Sequence, residues 1–490
     1  MNPAIVIFII VAYFGLLIII SNLTSRNADS NVFFTANRQS PWFLVAFGMI
    51  GASLSGVTFI SVPGEVGSSS FAYFQVVLGY LIGYLVIATV LLPLYYRLNL
   101  ISIYTYLQQR FGFWSYKTGA IFFLISRTIG SAFRLFLVAT VLQIAVFDAW
   151  NVPFELTVII TIILIWIYTF RGGIKTIVWT DTLQTFFMLT AVGVSIYLIA
   201  TDLNLGFSGL INTVQESGFS KIFHWGVKSE NNFYKQFLSG VFIAIVMTGL
   251  DQDMMQKNLT CRNLKDAQKN VFWFSVILVI ANLMFLSLGA LLYVYAQAKG
   301  VPIPERTDEL YPLLAIQHFS LAAGIFFILG IIAAAYSSAD SALTALTTSF
   351  CVDILNFNEK TEKDKKRIRI RVHLMFSVLL LLVIIVFKVI NNESVIKSVF
   401  TAAGYTYGPI LGLFAFGLFT KFAIKDRYVL VVAILAPIIS FILDLNSAKW
   451  FFGYKIGFEI LIINGLLTFI GLLIINRGFN PPDNKEKSHH

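Results

Sequence analysis

Hydroxyl residues gather in two places along this chain. In Ala334-Ala335-Tyr336-Ser337-Ser338-Ala339-Asp340-Ser341, the residues Ala334, Ser337, Ser338 and Ser341 stand at i, i+3, i+4 and i+7 and share one helix face, which Thr344 and Thr348 extend. A stripe of hydroxyls beside a backbone carbonyl suits a hard, small monovalent cation that takes oxygen ligands, and sodium fits this chemistry. The second cluster runs from Gly51 to Gly64 and contains Ser53, Ser55, Thr58 and Ser61. Gly56 there tolerates unwinding and Pro63 lacks an N–H, so the segment can turn carbonyls toward a cavity, which membrane depth permits only where protein or water surrounds them. Tight packing through small residues produces the same composition without any ion.

Four ionisable groups stand in apolar surroundings. Asp181, in Trp179-Thr180-Asp181-Thr182, begins a hydrophobic helix, where a carboxylate is costly unless paired or hydrated; an interfacial cap is the plain alternative. Arg127 and Arg134 are seven residues apart and so on one face of a helix near 116–146, where each must meet an anion, carbonyls or water. Arg134 lies deeper and is the better candidate for a solute contact, a structural ion pair being the alternative. Asp340 lies about 100° around its helix from the serine stripe and borders it.

The elements that must hold these groups are membrane helices. Of 490 residues, 57% are hydrophobic and 12% charged, against about 25% charged in soluble domains. Apolar blocks such as Phe71 to Pro93 and Val271 to Tyr295 are each long enough to cross roughly 30 Å of hydrocarbon. This excludes a water-soluble globule and predicts an all-α polytopic membrane protein of about thirteen transmembrane helices. If the N-terminus is outside, 24 of the 35 basic residues fall on inner segments, among them Arg26, Arg171, Lys175, the seven from Lys360 to Arg371, Lys485 and Lys487. Nine fall outside, and Arg127 and Arg134 lie within a span. That bias selects N-out, C-in. It also explains the net charge of +10 without nucleic acid. Cys261 and Cys351 fall at inner ends, so neither a disulfide nor a metal framework is expected. The N-terminal apolar run reads as a retained helix rather than a cleaved signal.

The helix count divides the chain into a leading helix and cytoplasmic loop (1–41), five helices (42–200), an outer loop (201–236), five more (237–420), and two trailing helices with a cytoplasmic tail (421–490). Five and five, entering the membrane from opposite sides, is inverted-repeat arithmetic.

Three motifs carry a resemblance: Arg171-Gly172-Gly173-Ile174-Lys175-Thr176-Ile177-Val178-Trp179-Thr180-Asp181-Thr182-Leu183-Gln184, Thr248-Gly249-Leu250-Asp251-Gln252-Asp253-Met254-Met255-Gln256-Lys257-Asn258-Leu259, and the Ser337-Ser338 pair. Their type, order and spacing resemble the sodium:solute symporter family from the first helix to about residue 476. The resemblance implies a LeuT-like five-plus-five inverted repeat. It implies a sodium site from carbonyls near Gly51 and Leu54, the carbonyl of Ala334, and the hydroxyls of Ser337 and Ser338. Asp181 matches the family's flanking acid, which holds a second sodium or assists release. The solute cavity it implies points to Ser53, Ser55, Thr58, Gln75, Arg134 and Tyr405. The family's sugar-transporting branch carries Asn, Glu and Gln where this chain has Ser53, Val57 and Thr58, and the hydroxyl-rich helix looks closer to the sialic-acid-transporting branch.

The expectation is therefore a sodium-coupled symporter in the cell (inner) membrane that imports a small polar organic solute, with a lean to an organic anion such as a sialic acid or carboxylate. Sodium is the co-transported ion, and no organic cofactor and no obligate protein partner are expected. Sugar or amino-acid symport, proton coupling and a non-transporting sensor are the alternatives; no paired acid and base or nucleophile suggests an enzyme.

Overall fold

The computed structural model describes residues 3–24, 36–355, 361–390 and 394–479. Arg26, Lys360, Lys485 and Lys487 lie outside the described residues, as do the side chains of Arg171 and Lys175. Inner and outer name the two faces as the charge bias orients them.

The described chain is almost wholly helical. The first helix, α1 (Pro3–Thr24), starts on a proline whose missing N–H is no loss at that position. Then come α2 (Trp42–Ser53), α3 (Gly56–Ser69), α4 (Tyr73–Val86), α5 (Phe113–Leu142), α6 (Phe154–Asp202), α7 (Phe233–Ala244), α8 (Gln252–Asn258), α9 (Leu264–Lys299), α10 (Leu321–Ser349), α11 (Glu362–Ile390), α12 (Val395–Phe419), α13 (Val429–Trp450) and α14 (Ile460–Ile474). Asn232, Asp251, Asn263 and Ser320 cap α7, α8, α9 and α10 through side-chain oxygens that accept first-turn N–H groups. Past α12, a two-stranded antiparallel ribbon pairs β1 (Phe422–Ile424) with β2 (Asn476–Phe479) and ties the last two helices to the inner face.

Among the described residues, nine helices are long and apolar enough to cross a membrane, or eleven if each of two bent pairs forms one span. The expected thirteen also need Phe154–Ile167 and Ile460–Ile474, which are apolar but shorter. Val431, Ile434, Leu435, Ile438, Ile439 and Ile442 stand exposed along α13, a surface that only hydrocarbon would tolerate.

The two bent pairs open the two halves suggested by the helix count. The α2 and α3 axes meet at 53°, and α7, which runs on through a π turn to Gly249, meets α8 at 69°. The sequence places the first unwinding around Gly56 and Pro63, but the break falls at Leu54 and Ser55, and helix resumes at Gly56 and runs through Pro63. The reason is local: Ser55 C=O already accepts the Phe59 N–H at 3.1 Å, so the new helix is nucleated before the proline is reached.

The helical segment α6 has 49 residues, which in a straight rod would hold its ends about 73 Å apart. Instead both ends lie at the outer side. Phe154 packs on Phe136 at 5.8 Å, Phe136 shares a cavity wall with Pro312, and the neighbouring Tyr311 hydroxyl is 2.7 Å from Ser195. The element doubles back, as the two helices expected at 154–170 and 175–200 require. The long outer loop also contains structure of its own, the helix Phe207–Glu216.

One contact fixes how α4 meets the second bent element. Gly79 of α4 and Gly240 of α7 face each other so closely that a methyl on Gly79 would strike the Phe237 carbonyl, and one on Gly240 the Val76 carbonyl. Only glycine permits backbones this near.

Candidate sodium and solute site

The break after α2 leaves the last carbonyls of that helix without intrahelical partners, which is how unwound backbone becomes cation-binding. Gly51, one turn before the break, lies against Thr185 Oγ1 and the Asp181 carbonyl on α6, so α2 is seated directly over Asp181. On the other side of Asp181 stands the serine stripe of α10: Ser337 Oγ donates to Asp181 Oδ1 at 2.6 Å. Ala334, Ser337 and Ser338 are all buried, and Ser338 Oγ has no hydrogen-bond partner among the described residues. A buried hydroxyl left unpaired costs about 1–3 kcal/mol, a cost that a bound cation would remove. The fold thus brings Gly51, Ala334, Ser337, Ser338 and Asp181 to one place, with Leu54 at the break beside it.

Asp181 is not an interfacial cap. It is fully buried, and its Oδ2 accepts from Lys257 Nζ of α8 at 2.7 Å. The sequence reading did not find Lys257 in this role.

Ser338→Ala removes one oxygen from this neutral cage and almost no volume. Half-maximal sodium activation of uptake should rise about tenfold, close to 1.4 kcal/mol, with insertion unchanged. An unaltered sodium curve in a normally expressed variant would take the stripe out of the ion site.

Beyond the break lies a cavity of about 70 Å³. Ser53, Ser55 and Thr58 line it from the broken helix, Tyr73, Tyr80 and Tyr84 from α4, Thr248 from the end of α7, Asn282 from α9, Phe400 from α12, and Arg134 from α5. Tyr73 holds Tyr80 hydroxyl to hydroxyl at 3.2 Å and stacks on Phe400. The three tyrosines recur at i, i+7 and i+11, which puts them on one helix face, and that spacing was the signal available in the sequence.

Two expected solute residues lie elsewhere. Gln75 spends its amide on the outer loop, donating to Asn231 C=O at 3.0 Å and accepting from His224 N–H at 3.1 Å, so it is a strut and not a cavity wall. Tyr405 points to α13, where its hydroxyl donates to Asp444 at 2.6 Å.

Both arginines line the cavity, and they differ in their partners. Arg127 is an ion-pair residue: it binds Asp253, lies 3.8 Å from Asp251, and is 4% exposed. Arg134 takes part in no ion pair among the described residues, and its guanidinium Nε is buried without a hydrogen-bond partner.

A family model for the sodium:solute symporter family matches residues 33–425. The chain belongs to that family. It is 24% identical over 473 residues to the sodium/sialic acid symporter NanT of Aliivibrio fischeri, covering 93% of this chain and 91% of that one. It is 24% identical over 412 residues to the human sodium-coupled monocarboxylate transporter 2, covering 81% of this chain and 65% of that one. Its fold matches the substrate-bound outward-open structure of a Na+-coupled sialic acid symporter with a TM-score of 0.81 at 20% identity, over 96% of this chain and 97% of that one. The expected LeuT-like class and sodium as the coupling ion follow from this membership.

In this symporter both ends of the cavity are latched by charge. On the inner side, Tyr407 of α12 donates to Asp251, Ser341 of α10 donates to Asp253 at 2.5 Å, and Arg127 binds the same two acids. The short helix α8 is therefore held to α5, α6, α10 and α12 by side chains it carries or begins with. On the outer side, Lys397 of α12 pairs with Glu65 of α3 at 2.8 Å, and Asp308 Oδ2 accepts the Val395 N–H at 3.0 Å. Arg306, Glu305 and Glu309 share that outer cavity of about 290 Å³. Cys261 and Cys351 are both free and buried.

Asp308 stands outside the spans, where burial pushes its carboxyl up to about 6 and the nearby Glu65 and Glu309 add to the rise. An acid with a higher pKa folded than unfolded contributes stability below about pH 4 that is lost as the pH climbs through 6. Asp308→Asn keeps shape without charge, so its melting temperature should gain on the wild type by roughly 2 °C or more between pH 4 and pH 7. A constant difference across that range would mean that Asp308 does not titrate there.

Proposed function

We propose that this symporter imports a small organic anion, docking the solute carboxylate on Arg134 while sodium binds between the break after α2 and the serine stripe of α10. The observation that carries the reading is the Arg134 guanidinium, which lines the cavity and pairs with no acid among the described residues. A guanidinium offers a planar donor fork that fits a carboxylate two bonds at a time.

The same geometry supports a coupling route. A sodium held by the carbonyls near Gly51, Leu54 and Ala334 and by the Ser337 and Ser338 hydroxyls would order the break, and the break also carries Ser53, Ser55 and Thr58 into the cavity wall. One ion then preorganises the solute site, which is a coupling free energy between two ligands. Each sodium entering a negative interior contributes about 2.3 kcal/mol per 100 mV. Release inward requires α8 to leave Arg127 and Asp181 while Glu65 and Lys397 stay closed above. We read the chain as N-out and C-in, with helices 42–200 and 237–420 as inverted repeats, in the cell (inner) membrane, with a small-molecule solute and the bilayer as its partners and no enzymatic step.

Among anions the cavity favours a small monocarboxylate. An apolar cavity of about 150 Å³ holds benzene, and this one has about half that volume. A sialic acid would need Tyr73 and Phe400 to withdraw. Relatives of both kinds are similar to this chain, so the choice is open to experiment. Proteoliposomes should take up pyruvate- or propanoate-sized acids under an inward sodium gradient and stop when it is collapsed, with the corresponding amides and neutral sugars inactive. Saturable uptake of a neutral sugar, or pH-driven uptake without sodium, would overturn the reading.

A further inference from the structure

The α6 to α8 ion pair joins two helices on which sodium coupling, as read above, depends. Lys257 is 1% exposed and Asp181 fully buried, and among the described residues Asp181 is the one acid paired with this ammonium. Both carboxylate oxygens are engaged: Oδ2 takes the ammonium at 2.7 Å, and Oδ1 takes the Ser337 hydroxyl at 2.6 Å, with the Gln184 amide 3.1 Å away as a further donor. A serine has one proton. Having donated it to Asp181, Ser337 offers only lone pairs to whatever lies on its other side, next to the unpartnered Ser338 Oγ. The ion pair at one end of this chain of contacts therefore fixes the ligand at the other.

We propose that Lys257 is a built-in cation that holds the place a second sodium would take at Asp181, and that it limits this symporter to one sodium per solute. The proposal rests on the sodium-coupled reading. Two cations cannot share one dry carboxylate without strong repulsion, and a sodium could displace the ammonium only by leaving Lys257 buried without an anion. The lysine is mechanically placed for a further task. It rides on α8, the half-helix that must move for inward opening, so the ammonium leaves Asp181 in the same stroke. The bared carboxylate then lies one hydroxyl away from the bound sodium and draws it off its ligands toward the inner side.

Sodium is counted on the purified chain in detergent by equilibrium binding of radioactive sodium in a potassium buffer, with no solute present. The wild type and Lys257→Arg should bind one sodium per protein. Lys257→Gln should bind two, and Lys257→Gln combined with Asp181→Asn should return to one. Two sodium ions on the wild type, or one on a well-folded Lys257→Gln, would overturn the proposal. Since Lys257→Gln strands a buried carboxylate, its recovery is itself informative. Protein monodisperse in sodium but not in potassium shows the ion in the place of the ammonium, whereas failure in both salts shows that the place does not accept sodium and sinks the idea. Absence of a carboxylate substrate leaves the count untouched, so the two readings fail separately. A wild type that binds no sodium would overturn sodium coupling along with the proposal.

Discussion

Arg134→Leu is expected to abolish sodium-driven uptake, by at least about 100-fold in kcat/KM, while folded protein stays near the wild-type amount. The asymmetry follows from the absence of a partner. Replacing an arginine that pairs with no acid among the described residues strands nothing, whereas the solute carboxylate loses the one cavity arginine not already claimed by acids, an effect of about 3–5 kcal/mol when a close buried pair is broken. Arg134→Lys keeps the charge and loses the fork, so KM should rise about tenfold with abundance unchanged. High-affinity uptake of a carboxylate by Arg134→Leu, measured in vesicles with matched protein content, would refute the docking role.

Arg127→Leu should do the opposite. It leaves Asp251 and Asp253 facing each other's field in a dry interior, with no cation between them and with Tyr407, Ser341 and the first-turn N–H groups of α8 as the remaining donors among the described residues. Breaking such a network costs about 3–5 kcal/mol, enough to reduce the recovered monodisperse protein severely. Adding Asp253→Asn removes one stranded charge and should restore part of the yield without restoring transport. Wild-type melting behaviour in Arg127→Leu alone would show that the inner network does not hold the fold together.

These two arginines also show what was legible in the sequence. Their shared face and their depth could be read from a spacing of seven, because a helix repeats every 3.6 residues. Which of them is paired could not be read, since the acids that claim Arg127 come from a segment 126 residues away. The serine stripe was legible for the same periodic reason. Lys257 was hidden despite lying in a recognised motif, because its meaning depends on a carboxylate 76 residues earlier, and nothing local distinguishes it from a topology-fixing lysine. Gln75 and Tyr405 were misplaced in the opposite direction. Both sit on helices that do border the cavity region, but each side chain found a stronger local partner, in the outer loop and in Asp444. The break in the first bent helix was expected one or more residues too late because composition marks where a helix is weak, while the restart is set by which carbonyl first finds an N–H.

The glycine contact between Gly79 and Gly240 bears on how such a carrier can change its diet. Two backbones in touch leave no room for a side chain between them, so α4 and α7 are packed as one blade that carries the tyrosines on one helix and Thr248 beyond the end of the other. Adjustments to solute size must then come from side chains on the blade rather than from its motion. A tyrosine exchanged for a smaller residue would widen the cavity while the lever that opens and closes it is unchanged, so the range of cargo and the machinery of its delivery can vary independently.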